Sequence, residues 1–151
     1  MQRRIVPHIV DGRRPVVSIA SGASTREAAR RMRERRVAAL LVMEGARLAG
    51  IVTERDIVFR VVAEGRDPAT VTVAEIMTRE PVTARPDERA LDALVKMREG
   101  HFRHLPVVDR DGRVVAVVSI RDLYEAVCRG LEEDLHEAES YIHGEPYGIA
   151  G

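Results

Sequence analysis

The chain has 151 residues, 45% of them apolar, and a formal net charge of zero, which fits one compact domain or two small domains sharing an interface. With no Trp, two Phe and three Tyr, it lacks the aromatic side chains of a stacking platform for single-stranded nucleic acid. One cysteine and no long apolar run exclude an internal disulfide, a signal peptide and a membrane-spanning helix, so we expect a cytoplasmic protein without nucleic-acid or membrane partners.

The charge is unevenly distributed along the chain. Residues 1–66 hold fourteen Arg and seven acids, a net charge of +7. Residues 67–151 hold ten basic residues and seventeen acids, a net charge of −7. This asymmetry favours attraction between the two halves or between subunits.

The first predicted unit begins with the extended segment PVVSIA and a helix. Ser24 is the expected N-cap of this helix and Glu27 its capping-box partner, with Ala28, Ala29 and Met32 facing the core. The strands VAALLVM and LAGIV follow around a tight turn, and a second helix begins at the motif GIVTERD. The residues of that helix expected to face inward are Ile57, Val58, Val61 and Val62.

The second predicted unit has the same order of elements. A short helical segment, VAEIMT, leads into the extended segment EPVTAR and a helix. The strands HLPVV and VVAVV flank the hairpin turn DRDG, and the last helix begins at VVSIRDL. The inward-facing residues of the two helices are expected to be Ala90, Leu91, Leu94 and Met97, then Leu123, Ala126 and Val127.

The two units are an internal repeat. Met97 follows Met32 at an offset of 65 residues, and the offset becomes 66 after the turn, where Ser119 matches Thr53 and Asp122 matches Asp56. The predicted fold class is therefore α/β, more specifically α+β, with β-α-β-β-α occurring twice. The nearly all-apolar strands indicate sheets covered on both faces, so the units should pack with pseudo-twofold symmetry around a cleft.

The repeated hydroxyl–x–x–acid motif has a local and a functional interpretation. Locally, Thr53 and Ser119 are helix N-caps and the two aspartates complete capping boxes. Functionally, a helix N-terminus can bind an anion, an aspartate suits ribose hydroxyls, and Arg55 and Arg121 could pair with phosphates. Because the motif recurs in register within a full repeat, the functional interpretation gains weight.

In the motif segments GIVTERD and VVSIRDL, together with RRVAALLV and GHFRHLPVVDRDGR, the sequence resembles the cystathionine-β-synthase (CBS) domain. Two such domains in tandem form a CBS pair, or Bateman module, and stand-alone bacterial CBS-pair proteins are similar. The resemblance implies repeat 1 at residues 14–68 and repeat 2 at residues 73–130. Residues 131–151 are left as an acidic C-terminal helix or tail.

The resemblance implies a regulatory module without catalytic or metal-binding residues. Its ligand would be an adenosine compound between the repeats, such as AMP, ADP, ATP, NAD or S-adenosylmethionine, and the module would signal to a partner protein, usually as a homodimer. By position, the two aspartates would hold ribose hydroxyls, Thr53 and Ser119 would contact phosphate or ribose oxygens, and backbone groups of residues 37–39 and 102–105 would bind the adenine edge. The implied ligand-binding residues are Val37, Ala38, Ala39, Thr53, Arg55, Asp56, Phe102, Arg103, His104, Leu105, Pro106, Ser119, Arg121 and Asp122.

Several alternatives stay open at this stage. The repeats differ where Pro106 replaces Leu41 and Ala116 replaces Gly50, so the two sites are not expected to be equivalent. The spacing of His101 and His104 could suit a metal, but cleft lining or surface exposure is favoured because no further ligand lies nearby in the sequence. A nucleotide hydrolase is disfavoured by the lack of a nucleophile motif. A dimerisation adaptor without ligand remains an alternative.

The acidic tail also has two interpretations. It is either a frayed terminus or a helix that docks on the basic half of a partner subunit, and its composition after residue 144 indicates a loop or disorder.

Overall fold

The computed structural model describes residue 5 and residues 15–143, and it has the predicted α+β composition. The first-half elements are β1 (Ser18–Ala20), α1 (Thr25–Arg35), β2 (Ala39–Glu44), β3 (Arg47–Thr53) and α2 (Glu54–Ile57), continued by a π-helical turn (Val58–Val62). The second-half elements are α3 (Val73–Ile76), β4 (Thr78–Arg79), α4 (Ala90–Gly100), β5 (His104–Val108), β6 (Val114–Ser119) and α5 (Ile120–His143). The expected start of repeat 1 at residue 14 and the loop predicted after residue 144 lie outside the described residues.

The strands of the described residues form two sheets, a four-stranded one that includes β4 and a two-stranded one. In the first, β1 is parallel to β2, and β3 pairs antiparallel with both β2 and β4. In the second, β5 and β6 form an antiparallel pair. Both hairpins shift register at the same place, between Val42 and Met43 and between Val107 and Val108. The matching irregularity supports the internal repeat.

The segments that lead into the second unit differ from the prediction. EPVTAR forms no strand; a single parallel bridge joins Ala84 to Val107. Pro81 and Pro86 explain this, because proline has no backbone N–H to extend a ladder. The helix predicted for VAEIMT ends at Ile76, and the residues that follow form β4 against β3.

Helix α1 has the predicted N-cap but only half of the capping box. Ser24 Oγ accepts a hydrogen bond from the Glu27 backbone N at 3.1 Å. The Glu27 carboxylate lies 3.4 Å from Arg31 instead of binding the cap. Ala29, predicted to face the core, is exposed, and its place is taken by Thr25, whose hydroxyl donates to the Pro68 carbonyl at 3.1 Å.

Three further residues predicted to face the core are exposed. Val58 and Val62 are 50% and 65% exposed because the π-helical turn is wider than an α-helical one, with Ala63 N donating to Val58 O at 2.8 Å. Only Ile57 and Val61 of that segment are buried. Leu91 at the start of α4 is also exposed. The other predicted α4 residues are buried or packed against the second core, namely Ala90, Leu94 and Met97.

Each half has its own apolar core, and each core includes residues from outside its repeat. The first core contains Val71 from the segment between the repeats and, from the start of repeat 2, Val73, Ile76 and Met77. Ile5, whose backbone N donates to Glu88 O at 3.0 Å, is fully buried in the second core. This exchange ties the two halves together.

Helix α5 is longer than the closing helix of the first unit. It runs without a break from Ile120 to His143, so the described part of the acidic tail continues the helix that follows the second motif. Its inward face holds Leu123, Ala126 and Gly130, whereas residues 131–143 are all exposed.

Candidate functional site

Both hairpins end on a hydroxyl residue that caps the next helix. In the first, Thr53 Oγ1 accepts from Asp56 N at 3.3 Å, and Asp56 Oδ2 accepts from Thr53 N at 2.9 Å and from Thr53 Oγ1 at 3.1 Å. In the second, Ser119 Oγ accepts from Asp122 N at 3.2 Å, and Asp122 Oδ2 accepts from Ser119 N at 2.8 Å and Ser119 Oγ at 2.9 Å. Both predicted capping boxes are therefore confirmed.

The capping boxes determine which atoms can meet a ligand. Each hydroxyl proton is directed to the aspartate, so the hydroxyl oxygen can offer a ligand only a lone pair. Oδ2 of each aspartate is part of the box, which leaves Oδ1 as the second acceptor. Oδ1 of Asp56 lies 3.9 Å from Arg60 Nε, an ion pair that the sequence analysis did not anticipate.

A second pair of equivalent hydrogen bonds fixes the loops that lead into β2 and β5. Glu54 N donates to Ala38 O at 3.0 Å, and Ile120 N donates to Arg103 O at 2.8 Å. The loops begin at Arg36 and His101, which have left-handed backbone conformations with φ values of 54° and 55°. Each of these residues ends a helix one position before residues 37–39 or 102–104, so the loops turn at equivalent points.

Cleft 1 lies between the repeats and has a volume of about 850 Å³. The first repeat contributes residues 53–56, with the exposed Val58 and Phe59. The second half contributes residues 80–82 and 100–104. The first capping box therefore faces the α4–β5 junction of the opposite repeat.

Cleft 2 has the equivalent construction and a volume of about 560 Å³. Its capping box lies within residues 119–122, and the opposite repeat contributes residues 15–17 and 36–39. Glu125 and Glu54 also line it. Both volumes fall within the range of about 300–1,000 Å³ that is common for small-molecule sites.

The predicted ligand-binding residues of the two loops and of β5 differ in which cleft they line. Phe102 lines cleft 1, Val37 and Ala39 line cleft 2, and the residues that line both are Ala38, Arg103 and His104. Leu105 and Pro106 are buried in β5 and line neither cleft. Their side chains belong to the structure of the sheet, and Leu105 is fully buried in the second core.

The two predicted arginines lie at the surface of their clefts and already have partners. The guanidinium carbon of Arg55 lies 5.2 Å from the centroid of the Phe59 ring. Arg121 is 87% exposed and its Nε lies 3.4 Å from Glu125 Oε1. An ion pair this exposed contributes about 0–1 kcal/mol, so Arg121 can exchange it for another anion at little cost.

His104 is the one cleft residue with a shifted pKa. Burial lowers the pKa of its imidazole, the nearby Arg103 lowers it further, and the carboxylates of Glu54 and Asp122 act in the opposite direction. The side chain is half-buried, and the shift keeps it neutral around pH 7.

Other cleft residues were missed by the sequence analysis. Arg36 and residues 15–17 line cleft 2, and Phe59 and residues 80–82 line cleft 1. Residues 15–17 precede α1 and residues 80–82 precede α4 at the offset of 65 residues, so their equivalence could be read from the repeat alignment. Only the packing of the repeats could show that they face the opposite motif.

Neither a metal site nor a membrane segment is found in the part of the chain that the structure describes. No group of three or more His, Cys, Asp or Glu residues there could hold a metal ion. None of the described helices is long and apolar enough to cross a membrane.

Comparison with known proteins agrees with this architecture. The CBS domain family matches the chain twice, over residues 9–63 and 73–129. The chain belongs to the CBS domain family. Among curated CBS proteins it is 46% identical over 115 residues to the CBS domain-containing protein CBSCBSPB3 of Arabidopsis thaliana. That alignment covers 75% of this chain but 20% of the plant protein, so the chain spans about a fifth of its length.

Two solved CBS structures are informative because their ligands are known. The CBS domain protein PAE2072 of Pyrobaculum aerophilum, complexed with AMP, is 31% identical with a TM-score of 0.71, over 80% of this chain and 89% of that one. The CBS domain pair of protein MJ0100, complexed with 5′-methylthioadenosine and S-adenosyl-L-methionine, is 27% identical with a TM-score of 0.76, over 86% and 99% of the chains.

Proposed function

We propose that this CBS-pair chain is a regulatory module that binds an adenosine compound such as AMP, ADP, ATP or NAD between its repeats and signals to a partner protein. The observation that carries the proposal is the aspartate of each capping box, which lines a cleft formed by both repeats. The adenosine ligands of the two solved relatives support it, since AMP, 5′-methylthioadenosine and S-adenosylmethionine share one nucleoside.

The hydrogen-bonding capacity of the capping boxes suits a ribose. Oδ1 of Asp56 or Asp122 can accept from a ribose hydroxyl, and the hydroxyl oxygen of Thr53 or Ser119 can accept from another. Because both hydroxyl protons point to aspartate, contact with a phosphate oxygen would require that proton to be redirected. We therefore assign Thr53 and Ser119 to the ribose rather than to the phosphate.

The arginines are suited to phosphates and the loops to the base. Arg55 in cleft 1 and Arg121 in cleft 2 are the second residues of α2 and α5, and they can reach a phosphate from the surface. For the adenine edge, Val37 N and Phe102 N are already bonded to Met32 O at 3.0 Å and to Met97 O at 3.2 Å. The remaining backbone groups of residues 37–39 and 102–104 would bind the base.

The clefts favour binding over catalysis. The hydroxyls of Thr53 and Ser119 donate to carboxylates, not to an imidazole, so neither is arranged as a Ser–His nucleophile pair. His104, the histidine common to both clefts, is kept neutral without a hydroxyl partner among the described residues. We therefore propose that the chain is not an enzyme.

S-adenosylmethionine is a second candidate for cleft 1. Glu54, Asp56 and Glu80 line this cleft, and three carboxylates favour a ligand that carries the positive charge of a sulfonium. The structure of MJ0100 with this compound supports the alternative.

Calorimetric titration with AMP, ATP, NAD and S-adenosylmethionine tests the proposal. We expect micromolar to submillimolar binding of at least one compound, with a stoichiometry of one or two per chain. Mass spectrometry of small molecules released from the purified protein would identify a retained ligand. No binding of any of the four at millimolar concentration would leave a dimerisation adaptor as the better interpretation.

We also propose a homodimer that acts in the cytoplasm, with residues 14–130 as one module. Exposed apolar side chains on helical segments support an interface, including Phe59, Leu91 and Tyr124, which are 54–58% exposed. The acidic continuation of α5 over residues 131–143 and the arginine-rich α1 could pair between subunits by charge. Sedimentation equilibrium at low and high salt measures both contributions.

A further inference from the structure

The two clefts share one wall. Four residues line both of them: Ala38, Glu54, Arg103 and His104. Glu54 directly follows the cap Thr53 of the first motif, and His104 lies opposite Ser119 in the β5–β6 ladder. The wall therefore connects one capping box to the other.

The three polar side chains of this wall interact only through their charges, since Glu54 and Arg103 shift the pKa of His104 in opposite directions. In residue 5 and residues 15–143, the carboxylate of Glu54, the guanidinium of Arg103 and the imidazole of His104 form no hydrogen bond or ion pair with one another or with any other group. Glu54 and Arg103 are also exposed. Each is therefore available to a ligand on either side.

The wall is asymmetric although the repeats are related. At the offset of 65 residues, Ala38 is the counterpart of Arg103, and Ala39 is the counterpart of His104. A symmetric wall would have one arginine for each cleft. Arg55 lines cleft 1 alone and Arg121 lines cleft 2 alone, but the wall has one guanidinium for both, and Arg103 can form a bidentate pair with only one phosphate at a time.

We propose that this shared wall couples the clefts negatively, so that an anionic adenosine ligand bound in one lowers the affinity of the other for a second anionic ligand. The inference rests on the proposed function. The first ligand takes Arg103, so the phosphate of a second ligand lacks the one guanidinium that the shared wall could offer it. A neutral nucleoside takes neither the arginine nor a charge into the cleft and should bind both clefts independently.

Single-cleft variants give the intrinsic affinities. Asp122→Ala leaves cleft 1 as the working site, and Asp56→Ala leaves cleft 2; AMP titration of each gives the affinity of one cleft with the other empty. For independent clefts these two values predict the wild-type isotherm. We expect the second AMP to bind the wild type about tenfold more weakly than the single-cleft variants predict, within the roughly 5- to 150-fold range of known couplings. This loss of affinity relative to the prediction is the shortfall.

Arg103→Gln and adenosine are the controls. Arg103 is exposed, so its replacement should leave the fold intact, and in this background the shortfall in the second AMP step should disappear even though the first step weakens. Adenosine should show no shortfall in the wild type. If the aspartate variants fold poorly, the amide resonances of Val82, in cleft 1 alone, and Val17, in cleft 2 alone, follow each site separately in the unaltered protein.

The outcomes separate the coupling from the proposed function. A wild-type AMP isotherm that equals the prediction from the single-cleft variants overturns the coupling and leaves ligand binding intact. A shortfall that persists in Arg103→Gln, or that adenosine also shows, overturns the role of the shared charge. If AMP, ATP, NAD and S-adenosylmethionine all fail to bind the wild type, the proposed function fails and the coupling fails with it.

Discussion

Replacing Asp56 or Asp122 by alanine distinguishes the two uses of the repeated motif. Each substitution removes the acceptor of two hydrogen bonds, from the backbone N and from the hydroxyl of the cap residue. Loss of such a cap costs about 0.5–2 kcal/mol of the free energy of unfolding. For a chain of this length that corresponds to a decrease in Tm of roughly 2–4 °C for each kcal/mol.

The expected effect on ligand affinity is larger. Hydrogen bonds to a charged acceptor contribute about 1.5–3 kcal/mol, so loss of the ribose contact should raise the Kd of that cleft by roughly 10- to 100-fold. Urea denaturation measures the first effect and calorimetric titration with AMP the second. Both measurements use the same preparation of each variant.

Glu75→Ala is the matched control. Glu75 completes a third capping box of the same kind, accepting from Thr72 N at 2.6 Å and from Thr72 Oγ1 at 3.1 Å, and it lines neither cleft. It should lose similar stability without loss of AMP affinity. If Asp56→Ala and Asp122→Ala behave like Glu75→Ala in both assays, the motif is only a helix cap and the assignment of the ribose site is refuted.

Four other predictions concern residues with different roles. Gly50→Ala would place a Cβ 2.6 Å from Thr78 O, so β4 must move. The free energy of unfolding in urea should fall by about 1–3 kcal/mol, and the ligand affinity of cleft 1 should fall as well. Unchanged stability would contradict this. The repeat equivalent Ala116 has no such strand beside it but is buried in the second core, so Ala116→Gly should cost about 1–2 kcal/mol from added backbone flexibility and a lost buried methyl group. NMR titration should give His104 a pKa below its usual value of about 6.5. Because the unfolded state then binds the proton more tightly, the free energy of unfolding should fall as the pH drops below 6.5. The His104→Gln variant should not show this fall. Leu105→Ala should cost about 2–5 kcal/mol as a buried core residue, and a loss under 1 kcal/mol would argue against that placement.

Differences between the repeats become interpretable in the structure. Gly50 lies beside β4 in the same sheet, paired with Arg79, and the Thr78 carbonyl leaves no room for a side chain. Ala116 is tolerated at the equivalent position because no third strand covers β6 in the two-stranded sheet of the described residues. The glycine is therefore required by strand packing, and through β4 it also positions the segment that lines cleft 1.

The sequence by itself determined the features that depend on contacts between near neighbours in the chain. The repeat, its hairpins and both capping boxes follow from spacings of a few residues, because hydrogen bonds between positions three apart form whenever the helix begins there. Tertiary structure decided the rest. Val58 and Val62, which the apolar pattern predicted to be buried, are exposed in the π-helical turn, and Leu105, predicted to bind ligand, is buried in the core. The shared wall joins Glu54 to Arg103 and His104, about fifty residues away, because the packing of one repeat on the other sets which loops face each motif.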